Sequence, residues 1–247
     1  MNSYRENKRK KKKTGHGRTE MRPGKPRRKR KWKQWARKIV RRKPYAAAGL
    51  FFLAALTVAV GVYSCVSGRG YYVDVDASEP EIDVQLLDVN PYSRPGIESD
   101  GINGVVIHYT ANPGSTAQEN RDYFNGLQYS QATEASSNFI VGLKGEIIQC
   151  VPTWEVAYAS NERNFDTVSI EVCHPDESGK FTDETYRSLV QLTAWLCVKF
   201  DLSSDDVIRH YDVTGKICPK YFVDHEDAWE DFKENVGAAI EKTREEN

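Results

Sequence analysis

The chain has 247 residues, and its 35 lysines and arginines balance 35 aspartates and glutamates, so net charge alone recommends neither nucleic acid nor an acidic surface as a partner. The balance hides a division. Residues 1–44 carry 21 basic residues against Glu6 and Glu20, a net of +19, which leaves 14 basic and 33 acidic residues, a net of −19, for residues 45–247. Such a split excludes one uniform globule and points to two compartments or two partners.

Residues 1–44 include "KRKKKK" and "RRKRKWKQWARK", with Trp32 and Trp35 interleaved as in some nucleic-acid binders. The segment is too charged to fold alone, and it abuts an uncharged stretch, where polybasic runs meet anionic lipid. It is expected to be a disordered cytoplasmic tail beside a membrane. The stretch itself, "YAAAGLFFLAALTVAVGVYSCVSG", offers 22 apolar or small residues from Tyr45 to Val66. A helix needs ~20 to cross a bilayer core, so residues 45–66 are expected to be a single transmembrane helix. Positive charge stays on the cytoplasmic side, which puts the N-terminus inside and everything after Gly68 outside. A cleaved signal peptide has a shorter basic region and a shorter apolar run. A lipoprotein signal would use Cys65 in "VYSC", where Tyr63 fits poorly.

Residues 67–97 are acidic, hold three prolines and lack a helical period, as a linker would. From Val84 to Ile97 they have enough apolar residues to lie against the domain on their C-terminal side. Residues 98–247 suffice for one sizeable core. "GVVIHYT" (104–110) reads as a buried strand, and "STAQENRDYFNGL" as a helix opened by a Thr116–Glu119 capping box. "SNFIVGLKGEIIQCV" reads as a hairpin about Lys144-Gly145, and "TVSIEVCH" (167–174) as another strand. Residues 182–200 place Tyr186, Leu189, Val190, Thr193, Leu196, Cys197 and Phe200 at helical spacing. "DVIRH" is a short strand, and a C-terminal helix comes last with Asp224 as its cap. The order predicts an α/β fold, a mixed central β-sheet flanked by helices.

Of five cysteines, Cys65 lies in the apolar stretch, and Cys150, Cys173 and Cys197 sit in apolar strands or a helix, the setting of small buried hydrophobes. An exported domain can form disulfides, and spacing leaves any pairing open. Cys218 differs, lying in a turn-rich loop beside Pro219. Among the histidines, His16 is in the tail and His225 opens an acidic helix, where it is expected to be solvated. His108 and His210 each end a short apolar strand. Together with Cys218 they offer two imidazole nitrogens and one sulfur, which zinc accepts, and a catalytic zinc keeps one position open. Singly, each has an ordinary reading: a hydrogen-bonded histidine or a packed cysteine. A structural zinc would need a fourth ligand, and His174 is the nearest candidate. Glu171 lies between Ile170 and Val172 on an apolar strand. If buried there it needs a cation or a reactive role; otherwise it is a surface residue on an alternating strand.

Four segments, "GVVIHYTAN", "SSNFIVGLKGEII", "TVSIEVCHPDESGKFTDETYRSLVQLTAWLC" and "VIRHYDVTGKICP", together resemble the zinc-dependent N-acetylmuramoyl-L-alanine amidases of type 2. That family shares its fold with peptidoglycan recognition proteins. The resemblance runs in order over roughly residues 100–240 and covers neither the tail nor the apolar stretch. It implies zinc held by His108, His210 and Cys218, with Glu171 as general base and Lys216 as the donor to the oxyanion. It also implies a peptidoglycan substrate, cut between N-acetylmuramic acid and L-alanine of the stem peptide. Ser137 stands where some members have a tyrosine, Asn138 where many have histidine, and "AYAS" (157–160) where they have a tryptophan–histidine pair. These departures touch the substrate contacts around Tyr158.

Three other readings compete. A peptidoglycan-binding module without catalysis usually lacks a metal ligand, and here all three positions are filled. A Cys–His hydrolase would use Cys218 as nucleophile, whereas a metal-bound thiolate is a ligand. A nucleic-acid binder would rely on the tail, but an outer domain of net −19 repels phosphate. No nucleic acid is therefore expected, and oligomeric state is left open.

Overall fold

The structure, a computed structural model, describes residues 72–246. The tail 1–44, the stretch 45–66 with Cys65, and the first residues of the 67–97 segment lie outside the described residues. Among the described residues no helix is long and apolar enough to cross a membrane.

Six short strands form one sheet: β1 (Asp83–Val84), β2 (Val105–Ile107), β3 (Phe139–Val141), β4 (Ile147–Gln149), β5 (Val168–Val172) and β6 (Val207–Arg209). Their order across the sheet is β1-β4-β3-β5-β2-β6. Only the β3–β4 hairpin is antiparallel; every other neighbouring pair is parallel. Parallel strands need cover on both faces, and β2 and β3 read as unbroken apolar runs. The helices that supply it are α1 (Ala117–Ser130), α2 (Asp183–Lys199) and α5 (Glu226–Glu246), with two short turns of helix, α3 (His210–Thr214) and α4 (Lys220–Asp224).

Alternation along the strands sorts the side chains. Val105 and Ile107, Phe139 and Val141, Val168, Ile170 and Val172, and Val207 point to one face, under α2 and α5. There they meet Leu189, Leu192 and Leu196 of α2 and Phe232, Val236 and Ile240 of α5. On the other face Ile140 and Ile148 pack with Ala117, Phe124 and Leu127 of α1 and with Leu87. That second core covers β3 and β4. The β5–β2–β6 part of the same face carries Ser169, Glu171 and His108 instead.

Local signals fix where the helices start. At α1, Thr116 Oγ1 accepts from the Glu119 N–H at 3.2 Å and Glu119 Oε2 accepts from the Thr116 N–H at 2.8 Å, the reciprocal capping box expected from sequence. At α2, Thr182 Oγ1 accepts from the Thr185 N–H at 3.0 Å and donates to the Leu143 carbonyl at 2.9 Å, tying the helix to the hairpin turn. Gly145 in that turn has φ +81°, and a Cβ there would stand 2.9 Å from the Glu184 carbonyl oxygen. Only glycine meets both demands.

Two expectations change. Asp224 does not cap the last helix: residues 220–224 form α4, Asp224 pairs with Lys220, and α5 begins at Glu226. Part of the segment read as a linker is also packed, from Val73 onward. Val73 and Ala77 are buried. The Val73 N–H donates to Asn235 Oδ1 at 2.8 Å and the Ala77 N–H to Thr243 Oγ1 at 2.7 Å, both on α5. From Val84 to Ile97 the segment lies against the domain as expected: β1 extends the sheet through β4, and Arg94 forks onto both carboxylate oxygens of Glu155 at 2.8 Å. The acidic, proline-rich composition hid Val73 and Ala77.

Candidate metal centre

Three chain segments deliver the central side chains. His108 comes directly after β2, held in register by its N–H, which donates to the Ile170 carbonyl at 2.9 Å. His210 is the first residue of α3, just past β6. Its position is set by Arg209, a buried guanidinium that bonds Asp212 at 2.9 Å, Glu226 at 2.7 Å and the Phe222 carbonyl at 2.9 Å. Cys218 returns to the same place because Gly215, at φ +77°, ends α3 and the Tyr211 N–H donates to the Cys218 carbonyl at 2.9 Å. The left-handed turn needs glycine, and it converts seven intervening residues into a closed loop.

His108, His210 and Cys218 are all buried, and one donor atom of each lies within 4.8 Å of the others. Cys218 Sγ stands 3.9 Å from His108 Nδ1, and the two imidazole centroids are 4.6 Å apart. The far nitrogens are occupied elsewhere: His108 Nε2 bonds Ser160 Oγ at 3.0 Å, and His210 Nε2 bonds Asn161 Oδ1 at 3.1 Å. His210 Nδ1 is buried with no hydrogen-bond partner. An orphaned buried nitrogen is costly, and beside a thiol and a second imidazole its natural partner is a cation. Two nitrogens and one sulfur are a donor set that suits zinc. The residues present therefore fit a zinc ion, and three ligands leave a fourth position free.

Burial and the neighbouring charges reinforce this. Burial holds His108 well below the ordinary histidine range, with the charges of His210 and Lys216 acting the same way. His210 is lowered too, by burial and then by Lys216. Both rings are thus neutral near pH 7, the form that binds metal. Burial, and then the Glu171 charge, push the Cys218 thiol up to about 12, against the smaller opposing effects of the Tyr109 N–H and Lys216. A bound cation is what would deprotonate it.

Glu171 shares the sheet face with His108, one strand over: Ile170 pairs with Ile107 in the parallel register. Its Oε2 is buried and has no hydrogen-bond partner. Burial pushes its carboxyl up to about 8, partly offset by the Lys216 charge. Lys216 itself is exposed, yet its charge acts on His108, His210, Glu171 and Cys218 alike.

The remaining sequence candidates fall elsewhere. His174 is buried outside the trio, with Nδ1 at 2.8 Å from the Asp176 carbonyl and its ring 5.1 Å from Tyr109. His225 is exposed and lies against Tyr221. Cys150, Cys173, Cys197 and Cys218 are all free thiols. Ser137 and Asn138 serve the fold: Asn138 Oδ1 accepts from the Ser169 N–H at 2.9 Å, and Ser137 Oγ donates to the Phe139 carbonyl at 2.8 Å. Sequence reasoning missed Ser160 and Asn161 as partners of the two imidazoles. Spacing gives no sign of them, since they open a run of mostly polar residues, Ser160 to Thr167, that precedes β5.

Comparison with known proteins agrees with this geometry. The chain is 35% identical over 167 residues to the N-acetylmuramoyl-L-alanine amidase CwlL of Bacillus licheniformis, a match covering 63% of this chain and 46% of the relative. It is 35% identical over 175 residues to the amidase BlyA of Bacillus subtilis, covering 62% of this chain and 46% of that one. The chain thus spans about half the length of the curated relatives it matches. A mutant endolysin from Bacillus subtilis superposes with a TM-score of 0.55 at 24% identity, over 64% of this chain and 100% of the other, which shows a shared fold. The pattern of the amidase type 2 family, described as N-acetylmuramoyl-L-alanine amidase, matches residues 98–221, half the chain and the whole of the His108, Glu171, His210, Lys216 and Cys218 constellation; the chain belongs to that family.

Proposed function

We propose that the chain is a zinc hydrolase that cleaves the amide between the lactyl group of N-acetylmuramic acid and L-alanine of peptidoglycan stem peptides. We also propose that it works on the outer side of a membrane that residues 45–66 cross, with the basic tail on the cytoplasmic side. The observation that carries the reaction is the convergence of His108, His210 and Cys218 within 4.8 Å, with a free nitrogen on His210. Zinc held there would supply Lewis acidity to the amide carbonyl and to an attacking water.

The chain's own residues divide the remaining work. Glu171 has an unpartnered carboxylate oxygen on the same sheet face. It takes the proton of the attacking water and returns it to the departing amine nitrogen of L-alanine. Burial raises this carboxyl while no metal is present, and a cation held beside it would favour the carboxylate that accepts the proton. Lys216 donates to the oxygen on which negative charge develops. Its exposed position lets it reach a substrate that lies over the centre. Cys218 and the two imidazoles act as ligands, so no acyl-enzyme forms.

The test is hydrolysis of purified muropeptides by the full-length chain, with zinc content measured alongside. His108→Ala and Cys218→Ala are expected to lose zinc and activity together. Glu171→Gln is expected to keep zinc and lose about 10²–10⁴-fold in rate, and Lys216→Ala about 10²–10³-fold. Muropeptide binding without release of free stem peptide by the wild-type chain would instead indicate a binding module.

A further inference from the structure

We infer that Asn161, with Ser160 beside it, is the positioning residue that aims His210 and His108 at the metal centre. This rests on reading that centre as a zinc site.

Both outer imidazole contacts come from two consecutive residues at the entry of one short 3-10 turn, Asn161–Phe165. An amide oxygen can only accept, so Asn161 Oδ1 requires a proton on His210 Nε2 and leaves the lone pair on Nδ1, the buried nitrogen without a hydrogen-bond partner. A hydroxyl can accept in the same way from His108 Nε2. Metal-bound imidazoles generally carry such a partner, which fixes the ring and raises its basicity.

The turn is built to hold these two groups. Ser160 makes no side-chain cap for it, so the hydroxyl is not consumed locally. The Ala159 and Ser160 N–H groups both donate to Asn164 Oδ1, at 3.0 and 2.5 Å. The Arg163 N–H donates to the Ser160 carbonyl at 3.0 Å, and Arg163 pairs with Asp166 at 2.7 Å. Asn161 itself has φ +53°. That left-handed conformation is unfavourable for most side chains and tolerated by asparagine. Asparagine fits this left-handed position while its side chain bonds His210.

Asn161→Gly separates the two contributions, because it relieves the backbone and removes only the acceptor. Full-length chain labelled with 15N at histidine is observed first without metal. Wild type is expected to show a slowly exchanging Nε2–H proton on His210, and Asn161→Gly to lose it. Zinc titration should then give a Kd about 10–100-fold weaker for Asn161→Gly, with Asn161→Asp restoring both the proton signal and the affinity. An unchanged zinc Kd in Asn161→Gly, or no rescue by aspartate, overturns the inference. If the wild type takes up no zinc, the functional reading falls by itself, and the His210 proton signal still decides whether Asn161 holds the ring.

Discussion

Glu171 shows most clearly how one side chain's surroundings set its chemistry. Without metal, burial lifts its folded pKa to about 8 from the ordinary 4.5. The native state therefore holds a proton that the unfolded state has released between those values. Stability from this group is full below pH 4.5 and is lost as pH rises toward 8. The metal-free Glu171→Gln chain, which cannot ionise there, should gain thermal stability over wild type across that window, the gain growing to a plateau above pH 8. A constant difference in Tm from pH 5 to 9 would mean the carboxyl is solvated. The histidines run the other way, since their folded values lie below 6.5; their contribution is present above pH 6.5 and lost on acidification. Much of this is legible residue by residue. His108, His210 and Cys218 stand out because polar or reactive groups at strand ends need partners. Ser160 and Asn161 do not, because their role depends on a turn that brings them beneath rings far away in sequence.

Among the elements, the strands and long helices are legible because their signals are local: β-branched runs, the Thr116 box, the Thr182 start, and glycine in the hairpin. The helix α2 is expected over residues 182–200 and runs Asp183–Lys199. The short helices are not legible. Five-residue elements such as α3 and α4 carry no periodicity, and they exist because tertiary contacts hold them. For α3 that contact is Arg209, whose guanidinium lies 5.1 Å from the Trp229 ring centre and binds both Asp212 and Glu226. Arg209→Ala is expected to cost about 1–3 kcal/mol. The two acids are partly exposed, so their loss of a partner strands no buried charge. Because His210 is the next residue, zinc affinity should fall with stability, whereas Arg209→Ala with unchanged zinc affinity would show that α3 holds His210 without it. Calorimetry and a zinc titration on the same sample separate these outcomes.

At the scale of the whole molecule, composition describes the chain's division into a basic tail, an uncharged stretch and an acidic remainder, and it misjudges where packing begins. Residues 72–78 lie along α5 although their charge resembles a linker's. Two buried side chains, Val73 and Ala77, decide the matter. Val73→Ala should therefore lower unfolding free energy by about 1–2 kcal/mol, at ~0.8 kcal/mol per buried methylene. A true linker position would show no change in a denaturant titration. This strap runs on the α2–α5 side of the sheet, opposite the face that carries His108 and Glu171.

The proposed chemistry depends on one open centre made of two nitrogens and one sulfur. Zinc K-edge X-ray absorption on the full-length chain tests it most directly. The expected spectrum has one sulfur at ~2.3 Å, two imidazole nitrogens at ~2.0–2.1 Å and one further ligand not supplied by the protein, and Cys218→Ala, which loses the metal, gives no zinc edge above background. A chain that binds no zinc, or a zinc shell without sulfur, would contradict it.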